Sequence, residues 1–227
     1  MIHPIRYFGD PVLRRRARPV TRFDDALARL ADDMIETMYD ANGVGLAAPQ
    51  IGVPRRLFVA LELAPESEDE GPDGEPVDGE DVDGEVAREE IPDDETPEQM
   101  RRRLGVVAEH IMVNPEIVQR DGTQYGQDGC LSVPGLYVEA LQRDLRVRVR
   151  YQDVTGAWHE TEAEGHFAHV LQHEHDHLEG VLFFDRLPDG ERQTFLEEHR
   201  AELADIQRQA KALLRELRRS PIPVAVQ

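Results

Sequence analysis

The sequence predicts an α+β fold, in which helices and strands follow one another without regular βαβ alternation. Three observations lead to this prediction: an apolar helical stripe near the N-terminus, stretches with strand-like alternation in the middle of the chain, and a long helical stripe near the C-terminus. The 227 residues are enough for one domain, and the 40% of hydrophobic residues are enough for a core at this size. We therefore expect residues 1–227 to form a single domain.

The first predicted element is an amphipathic helix over residues 23–39. Thr21 or Asp24 would cap its start, and Asn42-Gly43 supplies a left-handed stop. Its apolar positions recur at three- and four-residue spacing: Leu27, Leu30, Met34 and Met38.

An acidic segment follows the next two short elements. Residues 43–50 are too small and too rich in Gly and Pro for a helix, whereas residues 57–63 predict a strand. Residues 64–100 then hold 17 Asp or Glu against one Arg, and they lack aromatic residues. Such a segment buries too little apolar surface to offset the entropy of ordering it. We expect a flexible insertion, bounded at most by residues 64–104, before a strand at 106–113; a partner-binding acidic arm is the alternative.

Two strands and two helices are predicted in the C-terminal half. Apolar residues alternate with arginines over residues 145–151, which predicts a half-buried strand, and residues 157–163 return as its partner. A helix over residues 166–178 ends at Gly180, and a last helix spans residues 191–219. The apolar face of this last helix comprises Leu196, Leu203, Ile206, Ala210, Leu213 and Leu217.

Composition excludes several classes of protein. The net charge of −20 argues against wrapping nucleic acid or lying on an anionic membrane, although the acidic segment carries −16 of it and the rest only −4. A single cysteine excludes an internal disulfide framework. No signal peptide is apparent, and no apolar stretch approaches the roughly 20 residues that span a bilayer. We expect a cytoplasmic protein without membrane contact.

The segment His173-Glu174-His175-Asp176-His177 has the residue types and spacing of a hydrolytic metal site. Residues four apart share a helix face, so His173 and His177 would present two imidazoles to one ion. Glu174 lies one step round the helix and would reach a water on that ion without ligating it. His175 lies about 200° from His173, so we expect it on the surface. For so short a pattern, a merely polar helix face is the alternative.

A third ligand is needed to complete the site. His166 and His169 fall on the ligand line and are rival ligands, but we favour a place for them at the rim of a pocket. The other candidate is Cys130, the only thiol, within Gly129-Cys130-Leu131-Ser132. A lone cysteine is more often a small buried hydrophobe. Here the neighbouring glycine would let the backbone approach a ligand closely.

Three motifs together resemble those of the peptide deformylases. They are the loop GVGLAAPQ at residues 43–50, the turn GCLS at 129–132 and the helix QHEHDHL at 172–178, in the order typical of that family. The similarity extends over most of residues 3–187 except the acidic insertion. The resemblance implies antiparallel β-sheets packed around a central helix that carries HExxH, with an N-terminal helix and a long C-terminal helix. It also implies an enzyme that removes the formyl group from the formylmethionine of newly made polypeptides and releases formate.

The resemblance assigns a metal centre. Cys130, His173 and His177 would bind one divalent ion, natively Fe²⁺, with Zn²⁺ or Ni²⁺ as replacements. Water would take the fourth position, as a catalytic site requires. Glu174 would act as general base and then as general acid.

The resemblance also assigns residues that face the substrate. The backbone N–H of Leu131 and the side-chain amide of Gln50 would receive the negative charge that develops on the formyl oxygen. Gly45 and Val44 would bind the substrate backbone as an added strand. The N-formylmethionyl ends of nascent peptides are the implied partners.

Two departures from the family pattern are visible. The family usually has Glu before the Gly-Cys turn, where this chain has the shorter Asp128; Arg143 is the candidate partner of that carboxylate. His166 and His169 are also more polar than expected near the family's methionine pocket. Substrate selectivity is therefore less firmly predicted than the chemistry.

The end of the last predicted helix is basic. Residues 206–219 contain five Lys or Arg against one Glu, a net of +4. The resemblance implies ribosome docking through this helix, which suits contact with RNA phosphates. Favourable interaction of cations with a helix C-terminus is the alternative explanation.

Two other function classes compete with a deformylase. A general HExxH metallopeptidase would usually complete its site with His or Glu downstream of the helix, whereas Cys130 lies upstream. A metal-binding or ribosome-associated protein without activity is the second rival. All catalytic positions named above are intact, which disfavours it.

Overall fold

The computed structural model describes residues 1–64 and 96–219. This part of the chain contains five α-helices and seven β-strands, which confirms the α+β class. The helices are α1 (Asp25–Asp40), α2 (Pro97–Arg103), α3 (Gly165–Glu179), α4 (Asp189–Glu198) and α5 (Arg200–Arg219). The strands are β1 (Gly45–Ala47), β2 (Leu57–Leu63), β3 (Val106–Asp121), β4 (Gln124–Cys130), β5 (Val133–Arg143), β6 (Arg146–Gln152) and β7 (Trp158–Glu164).

A five-stranded antiparallel sheet lies between α1 and α3. Its order is β1-β2-β3-β6-β7, so β1 is an edge strand, and β4 pairs with β5 in a separate hairpin. Because side chains alternate along a strand, Leu57, Val59 and Leu61 pack with α1, whereas Phe58 and Ala60 pack with α3. The opposite face of α3, which carries His169 and His173, approaches β4 of the hairpin. Thus α3 is the central helix around which both sheets pack, as predicted.

The hairpin rests on the C-terminal helices. Leu136 and Leu141 of β5 share an apolar cluster with Phe184, Phe195 and residues of α5. Ring packing within this cluster is tight, since the rings of Phe184 and Phe195 stack with centroids 5.5 Å apart. The cluster thus supports the hairpin through β5.

Asp24 caps α1. Its Oδ1 accepts hydrogen bonds from the backbone N–H groups of Ala26 and Leu27 at 3.1 and 3.2 Å, the arrangement of an N-cap. Of the two caps considered from the sequence, Asp24 is therefore the one used. Asn42 has φ 53°, the left-handed conformation expected just after the helix.

The acidic insertion is wrongly bounded at its C-terminal end. Thr96 and Gln99 form a capping box that starts α2. Met100 is buried with α1 in the core, so these residues form a packed helix and not a loop. The remainder of the predicted insertion, residues 65–95, lies outside the described residues.

The single helix predicted over residues 191–219 is two helices. α4 ends at Glu198, and His199 (φ −98°, ψ 23°) leaves the helical conformation before α5 begins. The two helices bury different anchors, Phe195 on α4 and the stripe from Leu203 to Ala210 on α5.

Candidate metal centre and active site

The helix α3 presents two imidazoles to one point. His173 and His177 lie one turn apart, and their ring centroids are 4.9 Å apart. Both side chains are largely buried. The next turn ends at Gly180 in the left-handed conformation (φ 75°).

The hairpin brings Cys130 to the same point. Cys130 is the last residue of β4, and the turn Leu131-Ser132 connects it to β5. Its Sγ lies 3.2 Å from Nε2 of His177, and donor atoms of Cys130, His173 and His177 all lie within 4.8 Å of one another. A thiolate with two imidazoles is a donor set typical of divalent transition metals. The residues present therefore fit a metal ion.

The thiol of Cys130 lies in an environment that favours the thiolate. Burial by itself would raise its pKa, but the neighbouring His177 and His173 outweigh burial and lower the pKa to about 5. The backbone N–H of Ser132 and the Gln50 amide also donate to Sγ, at 3.4 and 3.5 Å. The anionic sulfur that a metal requires is thus stabilised by this chain's own groups.

A buried carboxylate fixes the orientation of His173. Oδ1 of Asp128 lies 2.7 Å from Nδ1 of His173, so Nδ1 carries the proton and Nε2 is left for a metal. Arg143 donates to Oδ2 of Asp128 at 2.8 Å and to Oδ2 of Asp176 at 2.6 Å. The shorter Asp128 therefore reaches both the ligand and the partner that sequence reasoning nominated.

His169 makes a contact that sequence reasoning missed. Its Nε2 lies 2.9 Å from Oδ2 of Asp128. Its position four residues before His173 was visible in the sequence, but only the fold shows that both imidazoles meet one carboxylate. Together with His166 it also lines the cavity in front of the ligands, as predicted for both.

Glu174 is buried beside the ligands. It is 3% exposed, and burial raises the pKa of its carboxyl to about 7. Its Oε2 is buried without a hydrogen-bond partner in the described part of the chain. A Cβ built on Gly45 would lie 2.8 Å from Cδ of Glu174, and closer to Oε1, so only glycine leaves room for this carboxylate.

Gln50 directs its amide nitrogen toward the centre. Its Oε1 accepts the backbone N–H of Ala47 at 2.7 Å, which assigns the two ends of the amide. Its Nε2 then lies 3.3 Å from Oγ of Ser132, beside the cysteine sulfur.

A cavity of about 460 Å³ joins these groups. Its lining includes eleven residues of the predicted motifs and pocket rim, among them Val44, Gly45, Gln50, Leu131, His173 and Glu174. His177 lies next to this cavity, within 4.8 Å of the donor atoms of Cys130 and His173. The structure therefore brings together all the residues that the sequence predicted for the site.

His175 faces away from this site, as helix geometry predicts, but it is only partly exposed. It is half-buried, and its Nε2 lies 3.3 Å from Nη2 of Arg56. Burial, aided by the Arg56 guanidinium, lowers the pKa of His175 to about 4. Its partial burial was not predicted, because Arg56 is 119 residues away in sequence.

A thiolate, two imidazoles and a glutamate at one cavity define the class of metal-dependent hydrolases. The comparisons with known proteins give the family. The polypeptide deformylase family model matches residues 2–193, and the chain belongs to this family of enzymes. Peptide deformylases are metal-dependent hydrolases that act on formylated nascent peptides.

Relatives match nearly the whole chain. A peptide deformylase of Thermus thermophilus is 50% identical over 219 residues, which cover 96% of this chain and 98% of the relative. One of Thermotoga maritima is 39% identical over 211 residues, covering 92% and 99% of the two chains. A crystal structure of peptide deformylase from Thermus thermophilus superposes with a TM-score of 0.72 at 44% identity, over 92% of this chain and 99% of that one. The general metallopeptidase considered from the sequence is therefore excluded.

None of the described helices combines the length and the apolar composition that a membrane-spanning segment needs.

Proposed function

We propose that this chain removes the N-formyl group from the formylmethionine of new polypeptides, with its metal held by Cys130, His173 and His177. The observation that carries the proposal is the convergence of these three donors with Glu174 on one cavity. When bound, the ion would lower the pKa of a water molecule and polarise the formyl oxygen. Fe²⁺ is the native ion that we propose, following the resemblance to the family, with Zn²⁺ or Ni²⁺ as functional replacements; a donor set with a thiolate is compatible with all three.

Glu174 is the proposed general base and acid. Its carboxylate takes the proton of the attacking water and passes it to the departing amine. A pKa of about 7 suits both transfers near neutral pH, since one group must accept and then return the proton. The unpartnered Oε2 is the atom that we assign to the water.

Gln50 and Leu131 are the proposed donors to the formyl oxygen. Negative charge builds on this oxygen as the formyl carbon is attacked, and donors placed in advance stabilise it. The amide of Gln50 is already directed toward the site by Ala47, and Leu131 lines the cavity beside it. Losing one such donor typically lowers the rate by about 10²–10³.

The edge strand β1 is the proposed docking site of the substrate backbone. Among the described strands, its one neighbour in the sheet is β2, so we assign its second edge to an added strand. Val44 and Gly45 line the cavity at this edge. An extended peptide paired there would run past the ligands, with its formyl end at Glu174.

The basic end of α5 is the proposed contact with the ribosome, in the cytoplasm. In the described part of this helix, Arg208 pairs with Asp205 one turn back. The other cations of residues 206–219 lie toward the helix C-terminus. Co-sedimentation with ribosomes should fall with rising salt if these cations bind RNA phosphates.

The proposed function is tested with formyl-Met-Ala as substrate. Metal-loaded protein should release formate from it and leave an acetylated or an internal peptide bond intact. The variant Glu174→Gln should keep its metal while turnover collapses, because it lacks a group that exchanges protons. Turnover equal to the parent would remove Glu174 from the mechanism, and preference for an internal bond would overturn the proposed reaction.

A further inference from the structure

The buried carboxylate of Asp128 has more partners than one ligand needs. Its Oδ1 faces His173, while Oδ2 faces both Arg143 and His169. The side chain of Asp128 is only 1% exposed. The orientation of the carboxylate is therefore set by the three side chains that surround it.

The placement of His169 follows from the packing of α3 on β4. His169 and His173 lie one helical turn apart, so both imidazoles point at the same strand. A Cβ built on Gly126, two residues before Asp128, would lie 3.4 Å from Nδ1 of His169. The imidazole is thus held against β4, with Nε2 directed at Asp128. Because a carboxylate only accepts hydrogen bonds, this Nε2 carries the proton.

We propose that His169 is a positioning residue for the metal centre. Its imidazole donates to Oδ2 of Asp128, and this bond holds Oδ1 in line with Nδ1 of His173. His173 thereby keeps Nε2 directed at the metal. The inference deepens the proposed function, because it rests on His173 being a metal ligand.

The length of the carboxylate explains why such a donor is useful. The side chain of aspartate is one methylene shorter than that of glutamate, so fewer orientations of the Asp128 carboxylate can bond to His173. Arg143 approaches Oδ2 from the strand β5 that follows the hairpin turn. His169 approaches it from the helix that carries the ligand itself. The two donors together leave the carboxylate little freedom to rotate.

His169 also covers part of this carboxylate where Asp128 borders the cavity. Its side chain is 11% exposed, against 1% for Asp128, and it lines the cavity wall. Removing the imidazole would admit water to the carboxylate. Water competes with His173 for Oδ1, which would loosen the ligand. A loss of metal affinity is therefore the expected signature.

Three substitutions of His169 distinguish the effect of its hydrogen bond to Asp128 from the effect of the volume of its ring. In His169→Gln the amide nitrogen reaches about as far as Nε2 and should keep the bond. In His169→Asn the amide is too short, and in His169→Leu the donor is absent. We expect the Zn²⁺ dissociation constant, measured by competition with a chromophoric chelator, to rise about tenfold or more for Asn and Leu. It should stay near the parent value for Gln.

A double-mutant cycle with Asp128→Asn tests whether His169 acts through the carboxylate. In that background His169→Leu should cause no further loss of affinity, because the group that it positions has lost its charge. Additive losses would overturn the proposal. So would equal affinities for the Gln, Asn and Leu variants.

The assay distinguishes this proposal from the proposed function. Zn²⁺ affinity is measured without substrate, so it reports on His169 even if formyl-Met-Ala is not hydrolysed. If His169→Leu raised KM alone, with unchanged metal affinity, the residue would act on the substrate and the proposal would be wrong. If His169→Leu fails to fold, the comparison of Gln with Asn still decides.

Discussion

Substituting Gly45 by alanine tests how closely β1 approaches the proposed general base. The added Cβ would lie 2.8 Å from Cδ of Glu174, whereas carbon atoms in ordinary contact are about 3.5–4.0 Å apart. The carboxylate must therefore move by about 1 Å, because β1 is paired to β2 and held in place. Gly45 does not have a positive φ, so alanine adds no backbone strain of its own.

A displacement of about 1 Å at a reacting group costs about 10² in rate. This corresponds to about 2.7 kcal/mol in activation free energy. The assay is formate release from formyl-Met-Ala, with bound metal and the melting temperature measured on the same preparation. We expect kcat/KM to fall about 100-fold while metal content stays at that of the parent.

The matched control is Gly190→Ala on α4, where an added Cβ meets nothing within 4 Å. It should behave as the parent in every measurement. If Gly45→Ala turned over at the parent rate, the close approach of β1 to Glu174 would have no catalytic consequence. If its activity fell only in proportion to lost metal, the displaced group would be a ligand and not the base.

Three further predictions follow from buried groups and from the sheet. Arg143→Met should lower the free energy of unfolding in urea by about 1–3 kcal/mol, because Asp128 and Asp176 each lose a buried cation but keep their histidine and Arg186 partners. Arg146→Met, at an exposed ion pair, should leave it unchanged, and equal losses would contradict the argument. Stripping the metal with a chelator should lower the melting temperature, since the ion binds only the folded chain; Cys130→Ser should melt at the lower temperature with or without added Zn²⁺. Deleting residues 66–94 should preserve formate release, because both ends of the deletion are held without them. The backbone N–H of Ala64 donates to the carbonyl of Gly105 at 2.8 Å, and α2 packs on α1, on the sheet face opposite α3. A large loss of activity would show that the deleted segment serves the site.

Local patterns predicted most of the elements. The strand Leu57–Leu63 and the stripe of α1 follow from side-chain periodicity, which sequence shows directly. The i, i+4 spacing of His173 and His177 likewise predicted two imidazoles on one face. Spacing alone did not select Cys130 from its rivals; that choice came from the resemblance to a family.

Contacts between distant segments could not be predicted in the same way. The burial of His175 depends on Arg56, and the ordering of α2 depends on one methionine packing under α1. His169 was placed on the cavity rim, but its bond to Asp128 depends on how β4 lies against α3. Each miss concerns a partner that only the fold brings near.

The buried guanidinium of Arg143 has a mechanical consequence. It holds Asp128, on the hairpin, and Asp176, on α3, with bonds of 2.8 and 2.6 Å. The hairpin supplies the sulfur, and α3 supplies both rings. A single cation thus links the hairpin to α3, and the distance between these two elements sets the spacing of the three metal ligands. A ligand that moved the hairpin away from α3 would have to lengthen the bonds of Arg143 before it could increase the distance between the sulfur and the imidazoles.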